Sequence, residues 1–212
     1  MKLIIANKTY SSWSLRAWLA VKASGIDFEE QTILLHEPDT RSLILQRSPS
    51  GKLPCLHDNG LAIWDSLAIA EYLAEEIPQL WPVDGAARAI ARSVSAEMHS
   101  GFQALRSQMP MNLRRNAPLA SISPELAADI RRIESIWNDC RAQYGGHDRF
   151  LFGTWSIADM MFAPVAFRFE SYGVTLQGAA QDYLQSVLAY PHMREWKAAA
   201  LKETAVIAAY EV

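Results

Sequence analysis

Cysteine is scarce in this 212-residue sequence, which contains only Cys55 and Cys140. Neither belongs to a CxxC pair or stands beside a cluster of histidines, so we expect neither a disulfide framework nor a zinc site. A strong excess of charge of one sign is also missing, since the formal net charge is −3. We therefore expect no partnership with nucleic acid, because no global positive field would recruit it.

Long apolar runs are absent as well. No stretch approaches the roughly 18 apolar residues of a membrane span, and the short apolar run at the N-terminus has no signal-peptide cleavage site. Half of the residues are apolar and a fifth are charged, which is ordinary for a globular protein. These features predict a cytoplasmic protein in a reducing environment, without membrane association.

The first 80 residues alternate between strand and helix patterns in the order βαβαββα. A strand over 2–6 is followed by a helix over 12–23 that Gly25 ends, as glycine commonly does at helix C-termini. Asn59-Gly60 lies between two apolar runs, which predicts a β-hairpin because both residues tolerate positive φ. The hairpin makes the predicted sheet mixed rather than purely parallel.

The rest of the chain has the apolar spacing of helices. Residues 81–84 resemble a linker, and apolar residues then recur every three or four positions from 90 to 109. Ser156 and Asp159 have the spacing of a capping box, which predicts a sharply defined, buried helix over 157–170. The fold class is therefore an α/β domain over 1–80, a linker over 81–84 and an all-helical domain over 85–212.

The serine pair Ser11-Ser12 stands between the first predicted strand and the first predicted helix. Serine is among the best N-cap residues, so helix capping is one role for these hydroxyls. The unpaired N–H groups and the dipole of a helix N-terminus also favour negative charge, which suits a bound thiolate. The residues alone leave both roles open.

These motifs, in this order, resemble the cytosolic glutathione transferases of the serine type over essentially the whole chain. The matching pieces are Ser11-Ser12-Trp13-Ser14-Leu15-Arg16, the segment 48–54, the segment 64–69, Glu71-Tyr72-Leu73 and the capping box. The first piece is most similar to the zeta class, which includes maleylacetoacetate isomerases and carries a cysteine where this chain has Trp13. The resemblance implies a thioredoxin-like N-terminal domain, an all-helical C-terminal domain and a homodimer.

The resemblance also implies which hydroxyl would stabilise the glutathione thiolate. Counted back from Arg16, Ser11 matches the catalytic position of zeta-like members, whereas Ser12 matches that of delta- and theta-like members. Tyr10 is expected to be a packed aromatic residue. Cys55 is not expected to be a redox cysteine, because no cysteine stands at position 11 or 12.

Glutathione contacts are implied at five further positions. The backbone of Leu53, beside a cis-Pro54, would pair with the cysteinyl backbone in a strand-like manner. Ser66 would bind the γ-glutamyl carboxylate, and Asp65 would either bind the γ-glutamyl ammonium or simply cap its helix. Lys52 would approach the glycyl carboxylate or remain an exposed lysine.

The pocket for the electrophile is expected between the two domains, above the first helix. Its candidate lining residues are Trp13, Met98, His99, Phe102, Met109, Met111 and Phe167. The spacing of most of them is also that of a helical core stripe, so ordinary packing is the alternative.

We therefore predict a glutathione transferase that conjugates small hydrophobic electrophiles in detoxification. It would need no metal or prosthetic group, since glutathione is a co-substrate. One alternative is a glutathione-dependent cis–trans isomerase of the maleylacetoacetate isomerase type, in which Arg114 would help to bind substrate carboxylates. The other alternative is a non-catalytic, glutathione-binding regulatory module.

Overall fold

The computed structural model describes residues 1–211; Val212, the last residue of the predicted helical domain, lies outside the described part. The N-terminal elements follow the predicted βαβαββα order: β1 (Lys2–Ile5), α1 (Ser12–Ser24), β2 (Glu29–Thr32), α2 (Thr40–Leu45), β3 (Cys55–Asp58), β4 (Leu61–Trp64) and α3 (Ser66–Glu76). The helical elements are α4 (Gly85–Ser100), α5 (Gln103–Gln108), α6 (Pro124–Tyr144), α7 (Ile157–Ser171), α8 (Gly178–Ala189) and α9 (Pro191–Ala200). Short 3-10 turns lie at Pro78–Leu80 and Ala208–Tyr210.

The four strands form one mixed sheet in the order β2-β1-β3-β4. β1 runs parallel to β2 and antiparallel to β3, and β3 pairs with β4 as an antiparallel hairpin. Asn59 and Gly60, at the tip of that hairpin, have φ of 47° and 80°. Both signs match the type I′ turn that an Asn-Gly pair favours, so the predicted hairpin and mixed sheet are confirmed.

α1 lies at the centre of the molecule. It packs against α3 on the sheet side and against α7 of the helical part, and the larger of two hydrophobic clusters runs through both regions. The helix ends where Gly25 adopts a left-handed conformation with φ of 72°, as its position in the sequence predicts. Because α1 is buried on both sides, its N-terminus lies where the two parts of the chain meet.

The apolar stripe from 90 to 109 is divided between two helices. α4 ends at Ser100, and Phe102 has φ of 62°, which breaks the helical path before α5 begins. The stripe remains periodic across the break because Met98, Phe102 and Leu105 are all buried in the core. Apolar spacing alone therefore does not reveal the break.

α7 is the buried helix that the capping box predicts. It spans Ile157–Ser171, and Glu170 is its only exposed residue. The Ser156 N–H donates to Asp159 Oδ2 over 2.8 Å, which closes the predicted box at the N-terminus. Within residues 1–211, no helix combines the length and the apolar character that crossing a bilayer requires.

Candidate active site

A cleft of about 510 Å³ opens beside the junction of β4 and α3. Its lining residues are Trp13, Ser50, Lys52, Leu53, Pro54, Trp64, Asp65 and Ser66. All five residues expected to contact glutathione outside the serine pair therefore lie on one surface. Ser50 and Trp64 were not among the residues expected to contact glutathione; they lie within the segments 48–54 and 64–69, and membership of those segments was the available signal.

The Leu53-Pro54 peptide bond on this wall is cis, as the resemblance implies. Within the described part of the chain, neither the N–H nor the C=O of Leu53 has a hydrogen-bond partner. The preceding turn is held by Ser50, whose Oγ accepts the Lys52 N–H over 3.2 Å. The cleft therefore presents an unpaired backbone donor and acceptor, the groups that an extended peptide needs in order to add as a strand.

The start of α3 forms the opposite end of the same wall. Asp65 has φ of 70°, and its Oδ1 accepts the Leu67 N–H over 2.8 Å, so the capping role of Asp65 is confirmed. Ser66 is the first residue of α3, and its Oγ is buried with no partner among residues 1–211. Leaving a buried hydroxyl unpaired costs about 1–3 kcal/mol, which a ligand atom in the cleft would relieve.

The serine pair lies at the start of α1. Ser11 is the N-cap: its Oγ accepts the Ser14 N–H over 3.3 Å and its hydroxyl donates to Ser14 Oγ over 2.8 Å. Helix capping by Ser11 is thus confirmed. The Ser12 hydroxyl makes no hydrogen bond with any described residue, and both serines are less than one-tenth exposed. Neither lines the cleft, whereas the next residue, Trp13, does.

Trp13 is surrounded by cationic side chains. The guanidinium carbons of Arg16 and Arg106 lie 4.6 and 4.8 Å from its ring centroid. Burial holds the pKa of Arg16 well below its usual range, and the positive charges of Arg106 and Arg168 lower it further. The local field beside this wall therefore favours anions.

The helical side of the predicted electrophile pocket differs from expectation. Met98, Phe102, Met109, Met111 and Phe167 are at most 7% exposed and pack in the hydrophobic core, away from the cleft lining. These five residues therefore belong to the hydrophobic core, so ordinary packing, the alternative left open for most of them, applies to all five. Of the seven candidates, Trp13 lines the cleft and His99 approaches it, with its Nε2 at 3.3 Å from Asp65 Oδ2.

Tyr10 and Arg114 are engaged with the C-terminal segment. The Tyr10 hydroxyl donates to Glu211 Oε1 over 2.6 Å, and burial followed by this bond raises the pKa of the phenol. Arg114 donates to the carbonyl oxygens of Glu203 and Ala205. Tyr10 is thus a packed aromatic residue as expected, while Arg114 holds the chain terminus instead of facing the cleft.

The two cysteines are buried and free. Burial raises the pKa of the Cys55 thiol, and it raises the pKa of Cys140 to about 12. A thiol needs a low pKa and access to solvent in order to react, so neither side chain is suited to redox chemistry.

Comparisons with known proteins match both the N-terminal and the C-terminal part of the chain. Residues 10–76 match the family model described as glutathione S-transferase, N-terminal domain, and residues 120–199 match glutathione S-transferase, C-terminal domain. A maleylacetoacetate isomerase from Rattus norvegicus is 30% identical over 171 residues, which cover 78% of this chain and 76% of the relative.

A second relative and a solved structure are also similar to this chain. A probable maleylacetoacetate isomerase from Caenorhabditis elegans is 36% identical over 104 residues, and that match spans 48% of each chain. The crystal structure of a glutathione transferase homolog from Burkholderia gl BGR1, with bound glutathione, superposes with a TM-score of 0.73. Its sequence is 23% identical, and the superposition covers 95% of this chain and 98% of that one, so it establishes a shared fold.

Proposed function

Because the chain belongs to the glutathione S-transferase family and its relatives support a glutathione-dependent enzyme, we propose that it binds glutathione in the cleft beside α3 and conjugates it, through its sulfur, to small hydrophobic electrophiles. The observation that carries the proposal is the set of unpaired groups on one wall. The buried Ser66 hydroxyl and the Leu53 backbone lack partners among residues 1–211 and line the same cleft. A tripeptide supplies partners for both.

In this binding mode the γ-glutamyl carboxylate lies at the N-terminus of α3. The Ser66 hydroxyl donates to it, and the positive end of the helix dipole favours its charge. Asp65, whose side chain is 42% exposed, faces the γ-glutamyl ammonium with the oxygen that does not cap the helix. Both charged groups of the γ-glutamyl end thereby meet the opposite charge.

The rest of the tripeptide follows the other lining residues. Its cysteinyl N–H and C=O pair with the C=O and N–H of Leu53, and its glycyl carboxylate approaches Lys52. This mode uses the backbone for affinity and needs no particular side chain at Leu53. Glutathione is a co-substrate, and the proposed reaction requires no metal or prosthetic group.

The sulfur is activated at the start of α1. A thiol with a pKa of about 8.5 must gain roughly 2.7 kcal/mol of stabilisation as the thiolate for that pKa to fall by two units. A hydroxyl donating to a charged acceptor supplies about 1.5–3 kcal/mol, and a helix N-terminus about 0.3–1 kcal/mol. The two together suffice.

We assign this hydroxyl to Ser11, with Ser12 as the alternative. The Ser11 proton is donated to Ser14 Oγ in the structure, and a hydroxyl turns freely about its C–O bond. Exchanging that neutral bond, worth about 0.5–1.5 kcal/mol, for one to a thiolate is favourable. The activated sulfur then attacks an electrophilic carbon, and the new C–S bond forms as a leaving group departs with its electron pair or as an activated double bond takes up a proton. We further propose that the protein acts as a cytoplasmic homodimer in detoxification.

A second candidate reaction is glutathione-dependent cis–trans isomerisation of a conjugated acid. The two matched maleylacetoacetate isomerases favour it, as do the guanidinium groups of Arg16 and Arg106 beside Trp13, which would attract a substrate carboxylate. The thiolate would add to the double bond, rotation about the resulting single bond would follow, and the thiolate would leave again. Turnover of maleylacetone exceeding that of an activated aryl halide would select this reaction.

The proposal is tested by titrating glutathione into the wild-type protein and into Ser66→Ala in a calorimeter. Removing a hydrogen bond to a charged carboxylate should weaken binding about tenfold, or roughly 1.4 kcal/mol. Ser93→Ala, an exposed serine of α4, is the matched control and should bind as the wild type does. Absence of binding by the wild type would contradict the proposal, and binding without turnover of any electrophile would favour the regulatory module.

A further inference from the structure

The loop between β1 and α1 is held by the C-terminal part of the chain. The N–H groups of Lys8 and Thr9 donate to the two carboxylate oxygens of Glu203, over 2.7 and 2.9 Å. The carbonyl of Lys8 accepts the Trp196 indole N–H over 3.0 Å, and that of Thr9 accepts the Leu113 N–H over 3.3 Å. All four backbone polar groups of these two residues are therefore bound by the helical region, and one carboxylate binds half of them.

Glu203 is itself fixed in place. It lies just beyond α9, and Arg114 donates to its carbonyl oxygen and to that of Ala205. The hydroxyl of Thr9 donates to the carbonyl of Ala200 at the end of α9, over 2.9 Å. Contacts on both sides thus restrain the carboxylate that accepts the two loop amides.

The loop transmits this restraint to the serine pair. The carbonyl of Asn7 accepts the N–H groups of both Tyr10 and Ser11, so the segment from Asn7 to Ser11 forms one closed turn. The amides of Lys8 and Thr9 lie inside that turn. A shift of these two amides therefore displaces Ser11. A displacement of about 1 Å is enough to weaken a catalytic hydrogen bond strongly.

We propose that Glu203 is a positioning residue for thiolate activation: its carboxylate fixes the turn that carries Ser11, so that the hydroxyl meets the glutathione sulfur. The inference rests on the proposed function, because it concerns the same serine. It adds that the alignment of this serine is set from a point 192 positions further along the chain. Glu203 acts through the loop and touches neither substrate.

The test is the substitution Glu203→Gln. A glutamine side chain offers one acceptor and one donor, so one of the two loop amides would face another N–H group. We expect the pKa of the bound glutathione thiol, followed by its thiolate absorbance, to rise by about one unit, equivalent to a tenfold change in the acid dissociation constant. At a pH of about 5.5, where the bound thiol is protonated in both proteins, the dissociation constant of glutathione should stay within about twofold, because the Leu53 and Ser66 contacts are unaffected.

The sign of the shift separates positioning from simple electrostatics. Removing a nearby negative charge would by itself stabilise a thiolate and lower its pKa, whereas a displaced Ser11 raises it. With an activated aryl halide, kcat at neutral pH should fall about threefold, because a bound-thiol pKa that rises from about 6.5 to about 7.5 lowers the ionised fraction by that factor, and it should recover as the pH is raised. A residue with a purely structural role would lower the free energy of unfolding without moving this profile.

Glu195→Gln is the matched control. Glu195 lies on α9 and pairs with Lys22 of α1 over 2.9 Å, so this variant makes the same chemical change across the same two regions. The hydrogen bonds of its carboxylate are to Lys22 and His192, and none reaches the loop before Ser11. Its bound-thiol pKa and kcat should equal those of the wild type.

Each outcome is decisive. A wild-type pKa and kcat in Glu203→Gln would overturn the inference and leave the proposed function standing. A wild-type protein that binds glutathione without lowering its thiol pKa would overturn thiolate activation, and the positioning role with it. Should Glu203→Gln fail to fold, Glu203→Asp keeps the charge and draws the carboxylate back from the loop by one methylene group; a rise in the thiol pKa supports the inference, and an unchanged pKa overturns it.

Discussion

The starts of α3 and α7 both carry an aspartate and a serine, but the hydrogen bonds of these side chains differ. At α7, Asp159 Oδ2 accepts both the N–H and the hydroxyl of Ser156, and Oδ1 accepts the Leu151 N–H. At α3, the Asp65 carboxylate is partly exposed, and the Ser66 hydroxyl is buried without a partner among the described residues. The first arrangement is complete within the chain and stabilises the fold, whereas the second leaves groups for a ligand to satisfy.

The contrast is also electrostatic. Asp159 is fully buried, and burial raises its pKa to about 6 in spite of the hydrogen bonds that oppose the shift. Ionising Asp159 therefore carries a cost that the surrounding donors only partly offset. Asp65 keeps its carboxylate in contact with solvent, so it remains available to a charged partner in the cleft.

The largest expected effect is a loss of stability when the hydrogen bonds at the start of α7 are removed. Asp159→Ala should lower the free energy of unfolding by about 3 kcal/mol, because it leaves the Leu151 and Ser156 donors buried without an acceptor. Ser66→Ala is the matched variant at α3 and should raise that free energy by about 1–3 kcal/mol, since it removes a buried hydroxyl that has no partner. Urea unfolding of both variants measures the difference. Equal losses would show that the two helix starts do not differ as described.

A smaller effect, on glutathione affinity, is expected from replacing His99 beside the start of α3. His99 Nε2 lies 3.3 Å from Asp65 Oδ2, and its ring meets Trp13 edge-on with centroids 5.2 Å apart. His99→Phe keeps the aromatic edge and removes the polar contact with Asp65. We expect glutathione to bind about threefold more weakly, which is typical for the loss of a partly exposed pair.

A glutathione analogue without the γ-glutamyl amino group is the control for this prediction. The substitution at His99 should not weaken its binding, because the group that Asp65 is proposed to hold is missing. Equal weakening for glutathione and the analogue, measured by calorimetry, would contradict a role for His99 at the γ-glutamyl end.

Features set by short segments were predictable from the sequence. Gly25, Asn59-Gly60 and the pair Ser156 and Asp159 each impose a local backbone geometry, and all are found where expected. The cis bond before Pro54 required the family resemblance, because most X–Pro bonds are trans.

Other features depend on contacts between distant parts of the chain. Met98 and Phe102 have the same helical period whether they face a core or a pocket, so their burial could not be distinguished in advance. The bond from the Lys8 N–H to Glu203 joins residues 195 positions apart, and no local pattern marks either end. Trp64 lines the cleft because the β4–α3 junction turns there, a geometry that the residue type does not encode.

The central claim is that a hydroxyl at the start of α1 stabilises the glutathione thiolate. Its most direct test is the pKa of the bound glutathione thiol, followed by thiolate absorbance across pH in the wild type, Ser11→Ala and Ser12→Ala. We expect Ser11→Ala to raise this pKa by about one to two units, since one charge-assisted hydrogen bond is lost, and Ser12→Ala to leave it unchanged. A rise of this pKa in Ser12→Ala alone would assign thiolate stabilisation to Ser12 instead of Ser11. A wild-type pKa in both variants would contradict the account.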